Sequence, residues 1–454
     1  MQMMGMNPIE VAFMPFPVNR RSCGSPDHDL NRRAFFGSMA GLLAGSSLGL
    51  NALAAPPVVE KLKKDQKRAI LIFLSGGASQ FETWDPKPGT STGGPFQTIQ
   101  TSLPGVRISE LMPEMAKRLN RHTAVIRSLS TRSVDHGGPL VDALLRGERS
   151  DIGTLKTPSL GCMLSKELCQ PDSQVPDHVG FYTTYVGFNN NVQIDFAGYL
   201  GGRYEPINIL NKFAPEANKL PPSLTDTDHR ERAALQDQLS QNFLAGRRRD
   251  PVLVSHHTAY SRVRSLMASE KLFDISQEPQ KIRDRYGSSL FGQQALAARR
   301  LVEAGVPFVR LNRGWWDSHG ENFDIHASLV PDLDRVMSTI LDDLEDRGLL
   351  KNTLVITFSE MGRTPQINTM RGRDHWGKCW SVALSGCGVK PGVVYGKTNA
   401  NGTDVAENKV TASEFFATIF AALGIDHQKE YLTPDGRPVP LTPYDTRPIA
   451  EVLV

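Results

Sequence analysis

Short, uniformly apolar segments alternate with longer segments of helical periodicity along this chain. The first apolar run, Ala69–Leu74, is bounded by charged residues on one side and glycines on the other. Such a run is typical of a strand that is buried on both faces of a parallel sheet. Similar runs predict strands at Thr123–Arg127, Val306–Leu311, Leu354–Phe358, Val382–Ser385 and Val393–Tyr395.

The segments between these strands repeat apolar residues with the period of a helix. They predict helices over Ser109–Leu119, Gly138–Leu145, His229–Leu244, Pro279–Glu303, Leu329–Arg347 and Thr411–Leu423. Strands that alternate with helices favour an α/β/α sandwich with a mostly parallel central sheet. Residues 150–225 are irregular and contain many aromatics and prolines, and they predict an insertion over one face of the sheet.

The composition is that of an ordinary soluble globular protein. The chain has 454 residues, enough for a large core, of which 40% are hydrophobic and 22% are charged. A net charge of only +3 gives no indication of a nucleic-acid partner.

The amino-terminal segment has the pattern of a twin-arginine signal. Asn31-Arg32-Arg33-Ala34-Phe35-Phe36 precedes a weakly apolar stretch that ends at the small-x-small site Ala52-Leu53-Ala54. A membrane anchor, the alternative, needs about 20 strongly apolar residues, and this stretch is shorter and interrupted by Gly and Ser. We therefore expect residues 1–54 to be a signal peptide with its n-region, and residues 55–454 to form one exported domain. This domain is expected in the periplasm or outside the cell, without a stable transmembrane anchor.

Four cysteines follow the signal segment: Cys162, Cys169, Cys379 and Cys387. An oxidising compartment would permit disulfides, and free buried thiols are equally compatible with the sequence. Pairing cannot be deduced from spacing alone. The spacing does not match a zinc knuckle.

Candidate metal ligands follow two of the predicted strands. Asp317 and His319 come after Val306–Leu311, and two residues of this spacing point to one face if the strand continues. His375 lies in a polar loop beyond Leu354–Phe358. Open α/β sheets bind ligands outside the carboxyl ends of their strands, so the three residues predict a site for a divalent ion. The alternatives are a solvated loop pair and a structural histidine held by the neighbouring Asp374.

Three further residues are candidates for catalysis. Glu360 follows Leu354–Phe358 and could bind the metal, act as a base or form a salt bridge with Arg363. Arg363 could hold an anionic substrate group through two parallel hydrogen bonds. His136 precedes a predicted helix start, where anions are favoured, and is a candidate nucleophile, base or anion contact. A helix cap built by Asp135 is the simpler reading of that segment.

Several motifs resemble one family of exported bacterial proteins. The stretch from Gly76 to Pro88 (GGASQFETWDPKP) resembles the opening signature of the domain-of-unknown-function 1501 family, which is abundant in planctomycetes. Further matches follow in the same order, at Arg285-Tyr286-Gly287, Ala298–Val306, Trp316-Asp317-Ser318-His319, Phe358–Pro365 and Asp374-His375. The resemblance implies an alkaline-phosphatase-like fold from the sulfatase-like superfamily.

The superfamily resemblance implies a two-metal ester hydrolase site that is reduced in this chain. Asp317, His319 and His375 match the ligands of one metal. The other metal would need an Asp after the first strand and an Asp-His pair, where this chain has Ser75-Gly76 and Glu360-Met361. No Ser, Thr or Cys stands where the nucleophile is expected, near His136, and the sulfatase motif Cys-x-Pro-Ser-Arg is absent from the sequence.

These residues lead to two hypotheses from different classes. The first is an exported metal-dependent hydrolase of phosphate or sulfate esters that uses one zinc-like ion. Its substrate would be a small anionic ester or a sulfated or phosphorylated glycan. The second is a non-catalytic, metal-stabilised exported binding or scaffold protein of the same fold. The sequence leaves the oligomeric state open.

Overall fold

The computed structural model describes residues 65–132, 134, 146–147, 149, 151–170, 173, 175–182, 196–215, 223, 225–244, 262, 266 and 269–454. Within these residues, strands β1–β17 are Arg68–Leu74, Thr98–Gln100, Arg107–Ser109, Thr123–Ser130, His178–Tyr182, Ile207–Leu210, Phe308–Arg313, Thr353–Phe358, Gly362–Arg363, His375–Trp376, Trp380–Gly386, Val393–Tyr395, Lys397–Thr398, Val405–Glu407, Val410–Thr411, Glu430–Leu432 and Pro438–Pro440. Helices α1–α8 are Pro113–His122, Leu160–Leu168, Asp226–Leu244, Glu270–Phe273, Gln280–Tyr286, Leu290–Ala304, Asn322–Asp346 and Ala412–Ala422.

The central sheet is mostly parallel, as predicted. Its strand order is β12-β4-β11-β8-β1-β7-β5-β6, and β15 also pairs with β4. Strand β11 runs antiparallel to both of its neighbours, and every other pair in this sheet is parallel. The central position of β1, between β8 and β7, explains why all seven of its residues are buried.

Two hydrophobic cores cover the two faces of the sheet. Alternate residues of β1 belong to different cores, since Ile70 and Ile72 pack with α6 and α7 while Leu71 and Phe73 pack with α2 and α8. The period of two along a strand therefore divides the apolar residues between two helix layers. The predicted α/β/α sandwich is confirmed.

Several predicted elements differ from the structure. Helix α1 begins at Pro113 and not at Ser109, which ends β3, and α7 begins at Asn322 and not at Leu329. The predicted helix Pro279–Glu303 is two helices, because Gly287 adopts a φ of +85° and Ser289 caps the second one by accepting a hydrogen bond from the Gly292 N–H. The predicted irregular insertion contains α2 and two strands of the central sheet, β5 and β6. These strands have only five and four residues, too few for a clear sequence pattern.

Some predictions lie outside the described residues, namely the signal segment 1–54 and the helix at 138–145. Within the described residues, no disulfide joins Cys162, Cys169, Cys379 and Cys387. None of the helices in the described part of the chain combines the length and apolarity that crossing a membrane requires.

Candidate metal centre

Three loops meet at the carboxyl edge of the central strands. Because β1 lies between β8 and β7 in a parallel arrangement, the turn after β1 is adjacent to the loops after the other two strands. Asp317 and His319 lie on the loop after β7, and Glu360 lies directly after β8. This is the edge at which open α/β sheets bind their ligands.

The turn after β1 packs so tightly against the Asp317 segment that it needs glycine. Gly76 has a φ of +115°, and a Cβ there would lie 2.5 Å from the Asp317 backbone nitrogen. Its own N–H donates to Glu360 Oε1 at 2.7 Å. Gly76 therefore joins the loops after β7 and β8, and a side chain at this position would push them apart.

A short hairpin brings His375 to the same place. Strands β9 and β10 pair antiparallel, with His375 opposite Arg363. Arg363 in turn donates from Nη2 to Asp317 Oδ1 at 2.6 Å. The hairpin thus places His375 next to Asp317, although the two residues are 58 positions apart in sequence.

The side chains of Asp317, His319 and His375 converge on one point. His319 Nε2 lies 2.9 Å from His375 Nε2 and 3.2 Å from Asp317 Oδ1, and His375 Nε2 lies 3.4 Å from the same carboxylate oxygen. These are the candidate ligands that the sequence predicts. Among the described residues they form the one group of three or more ligand-type side chains with this spacing.

The outer nitrogens of both imidazoles contact acceptors. His319 Nδ1 lies 2.7 Å from Asp374 Oδ1, and His375 Nδ1 lies 2.5 Å from the Val134 carbonyl oxygen. A carbonyl or carboxylate oxygen can only accept, so each Nδ1 carries a proton, and the Nε2 of a ring with a single proton is then bare. The hydrogen bond from His319 also lowers the pKa of Asp374, which keeps this carboxylate charged.

Three acceptor atoms facing each other fit a cation. Two Nε2 lone pairs and a carboxylate oxygen repel one another unless a positive charge lies between them. A tetrahedral ion with bonds of roughly 2.0–2.2 Å holds its ligand atoms about 3.4 Å apart, close to the observed separations. Hydrogen bonds from the outer nitrogens to Asp374 and Val134 orient the rings as second-layer partners do around metal-bound histidines. The residues present therefore fit one divalent ion of zinc type.

Arg363 occupies a different position from the one predicted for a substrate-binding arginine. Its side chain is fully buried, Nε donates to Gly77 O at 2.8 Å and Nη1 to Arg373 O at 3.1 Å. Nη2 donates to Gly76 O as well as to Asp317. Since these contacts occupy the guanidinium, the structure supports a role in positioning Asp317 and does not support direct binding of a substrate anion.

The other two candidate catalytic residues have different outcomes. Glu360 is buried, and its contact with Gly76 shows that it holds the turn after β1. His136 lies outside the described residues. Val134, two residues earlier in the chain, reaches the candidate site through its carbonyl contact with His375.

A model of the family described as "Protein of unknown function (DUF1501)" matches residues 66–453. The chain belongs to the DUF1501 family. The match includes every described element of the sheet and all three candidate metal ligands.

Several solved structures show a distant likeness to this DUF1501 chain, and no curated protein matches it. The structure of Ps i-CgsB in complex with k-i-k-neocarrahexaose is 11% identical, with a TM-score of 0.37 and coverage of 80% of this chain and 72% of that chain. The PsFucS1 sulfatase from Pseudoalteromonas sp. is 13% identical, with a TM-score of 0.35 and coverage of 81% and 70%. The phosphonate monoester hydrolase SpPMH from Silicibacter pomeroyi is 10% identical, with a TM-score of 0.34 and coverage of 85% and 76%. At these scores the likeness carries no argument about activity.

Asn368 organises the loop that leads to His375 in this DUF1501 chain. Its Nδ2 donates to His319 O at 2.8 Å, and its Oδ1 accepts from the N–H groups of Met370 and Gly372. The sequence analysis did not predict this role. An Asn two residues before a Met-Arg-Gly turn is a weak signal, because side chain to backbone bonds of this kind are common in loops.

A buried ion pair holds the same loop in place. Arg373 and Glu82 are both fully buried, with Nη2 and Oε1 3.0 Å apart. Arg373 also donates to the carbonyls of Thr92, Thr364 and Pro365. Because the pair joins segments almost 300 residues apart, local sequence patterns could not predict it.

His326 connects α7 with the segment after β1. Its Nε2 accepts from the Ser79 N–H at 3.0 Å, and its Nδ1 donates to Asn322 O at 2.8 Å. The ring packs against Trp316, with centroids 5.4 Å apart. Both nitrogens are thus satisfied by a neutral imidazole.

Acidification is expected to destabilise the DUF1501 fold through His326. Burial lowers the pKa of His326 from 6.5 to about 4, so between these pH values the unfolded chain binds the additional proton. Stability is therefore full above pH 6.5 and falls as the pH drops towards 4, by roughly 3 kcal/mol at most. Urea unfolding at several pH values measures this loss. A His326→Gln variant cannot titrate and should show a pH slope smaller by about 1.4 kcal/mol per unit; equal slopes would contradict the assignment.

Proposed function

We propose that this chain is an exported, metal-dependent hydrolase of phosphate or sulfate esters that uses one divalent ion. The observation that supports this most directly is the triangle of Asp317 Oδ1, His319 Nε2 and His375 Nε2, with sides of 2.9–3.4 Å. The side chains of both histidines are partly exposed, which leaves one side of the triangle open to a substrate. The twin-arginine pattern before Ala54 supports export to the periplasm or beyond.

In the proposed centre, some residues would bind the ion and another would orient a ligand. A bound ion would supply Lewis-acid polarisation of an ester oxygen. Asp317, His319 and His375 would hold the ion, and Arg363 would keep Asp317 in place with a charge-assisted bond of 2.6 Å. His136 is our candidate proton carrier, since it follows Val134 by two residues.

The proposed substrate is an anionic ester, either a small one or a sulfated or phosphorylated glycan. Arg363 is engaged within the protein, so the charge of the substrate would be met by the ion itself. An assay with both ester types would show whether phosphate or sulfate esters are preferred.

A specific observation favours the second candidate, a metal-stabilised binding or scaffold protein. Ser318 lies between two of the candidate ligands and carries the nearest hydroxyl in sequence. Its side chain is fully buried and donates to Asn322 Oδ1 at 2.6 Å, so it does not face the triangle. A hydrolase would therefore have to use water or His136 in place of this serine.

Metal counting combined with an ester screen separates the two candidates. The purified chain without its signal segment would be analysed for bound metal and assayed with phosphate monoesters, phosphate diesters and sulfate esters. We expect one ion per chain and turnover of at least one ester class. A stoichiometric ion without turnover would support the scaffold, and a chain that binds no metal would contradict both candidates.

The matched control is Asp317→Asn, which retains the size and shape of the side chain. Turnover that survives this change would have to come from a contaminant or from a different site. Loss of turnover together with loss of the ion would support the proposed centre.

A further inference from the structure

A second cavity opens at the same edge of the sheet, beside the candidate metal centre. Its volume is about 230 Å³, and its wall includes Trp315, Phe291, Arg313, Asp332 and Asn211. Arg313 ends β7 and Asn211 follows β6, and both strands run parallel to β5 between them. The cavity therefore lies beyond the carboxyl ends of β6 and β7.

The cavity and the metal centre share one loop. Trp315 is two residues before Asp317, and the Arg313 carbonyl accepts from the Ser75 N–H at 2.9 Å beside the Gly76 turn. Residues 313–319 therefore border the cavity at one end and carry two of the candidate ligands at the other.

The shared loop presents one indole to solvent and buries the next. The side chain of Trp316 is fully buried, whereas Trp315 is 56% exposed at the wall of the cavity. Trp315 also has a φ of +76°, a conformation that is unfavourable for a bulky residue and that concentrates at binding and catalytic sites. The cavity consequently has a large, flat apolar face on one side.

The cavity wall also contains a carboxylate and a guanidinium, which together are close to neutral. Asp332 accepts from the Ser289 hydroxyl at 2.9 Å, and Arg313 Nε lies 4.0 Å from its other oxygen. This Nε is buried and donates to no acceptor in the described part of the chain, so a ligand would meet the other guanidinium nitrogens of Arg313, whose side chain is 21% exposed. The carboxylate and the guanidinium offset each other's charge, so a second anion gains little here, while hydroxyl groups can both donate to Asp332 and accept from Arg313.

We propose that this cavity binds one neutral sugar ring, which is the alcohol part of the ester that the metal centre would cleave. A wall that combines aromatic side chains with a carboxylate and a guanidinium suits a ring with apolar faces and hydroxylated edges. The volume is below the roughly 300–1,000 Å³ of pockets for drug-sized ligands, which limits the ligand to a single ring. This inference rests on the proposed function, since it names the substrate class as sugar esters.

Calorimetric titration with sugars that carry no ester tests the inference without any turnover. The probes are glucose, galactose, fucose, N-acetylglucosamine and their methyl glycosides, added to the wild-type chain and to Trp315→Ala, Trp315→Phe and His375→Ala variants. We expect at least one sugar to bind the wild type and His375→Ala equally, and Trp315→Ala at least about tenfold more weakly. Trp315→Phe retains an aromatic face and should restore most of the affinity.

Tyr444→Ala is the matched control, because it removes another exposed aromatic side chain, 62% exposed and outside the residues that line the cavity. Its sugar affinity should equal that of the wild type, and thermal unfolding would verify that every variant is folded. Failure of all the sugars to bind, or sugar binding that is unaffected by Trp315→Ala, would overturn the inference. If sugars bind in a way that depends on Trp315 but no ester is turned over, the sugar site is supported and the proposed function is contradicted. If simple esters are turned over but no sugar binds, the proposed function is supported and the sugar site is contradicted.

Discussion

Replacing His375 with alanine is expected to abolish stoichiometric binding of zinc. The triangle would lose one of three ligand atoms, and His319 Nε2 would lose the neighbour that lies 2.9 Å away. Even second-layer partners of metal ligands contribute about 10–100-fold to affinity, so the loss of a direct ligand should exceed this range. An ion that binds only the folded state stabilises it by about 2.7 kcal/mol at a concentration of 100 times its dissociation constant. Added zinc should therefore raise the melting temperature of the wild type but not that of His375→Ala.

The measurement is a metal count after dialysis, combined with thermal unfolding with and without zinc. His427→Ala is a suitable control, since His427 contacts Thr442 and Gln428 and belongs to no cluster of candidate ligands among the residues that the structure describes. It should bind as much zinc as the wild type. If His375→Ala and the wild type bind equal amounts of zinc, the assigned ligands are wrong.

Replacing Arg363 with alanine is expected to be among the most destabilising single changes at this site. The substitution would leave the Asp317 carboxylate buried without its cation and would remove donors from the carbonyls of Gly76, Gly77 and Arg373. Breaking a buried ion pair by removing one partner typically costs about 3–5 kcal/mol. The expected result is a decrease of this size in the free energy of unfolding, measured by urea denaturation, together with weaker metal binding.

Two further variants show whether the loss of stability is specific to the contacts of Arg363. Arg437→Ala removes an exposed pair with Asp435, and such pairs contribute about 0–1 kcal/mol. Arg363→Lys retains the charge but cannot reach several acceptors at once, so it should recover only a small part of the stability. If Arg363→Ala lost no more stability than Arg437→Ala, the positioning role would be contradicted.

The central strands of the sheet were predictable because each is an apolar run that can be recognised in the sequence. Residues 69–74 are apolar without interruption, and the structure buries both faces of this strand completely. The strands β5 and β6 were missed, because a run of four or five residues does not show a period. Strand β5 joins the sheet by pairing with the distant β7, where His178 lies opposite Phe308, and β6 then pairs with β5.

The candidate ligands were predictable from their types and from their places after strands. Carboxylate and imidazole groups beyond the end of a strand indicate a metal at any parallel sheet edge. The role of Arg363 was not predictable in this way. An arginine in a loop has the same sequence appearance whether its guanidinium faces a substrate or donates to the carbonyls of Gly76 and Gly77.

By itself, the sequence determined the family, the sandwich class and the three residue types that could hold an ion, because these depend on periodicity and on motifs within short segments. Only the tertiary structure decided that Asp317, His319 and His375 face one another, that Arg363 is buried behind them, and that Trp315 borders a cavity. The physical reason is that each of these relations joins side chains from separate loops. Their distances follow from the order of β8, β1 and β7 and from the tight Gly76 turn, neither of which is encoded in any one stretch of the chain.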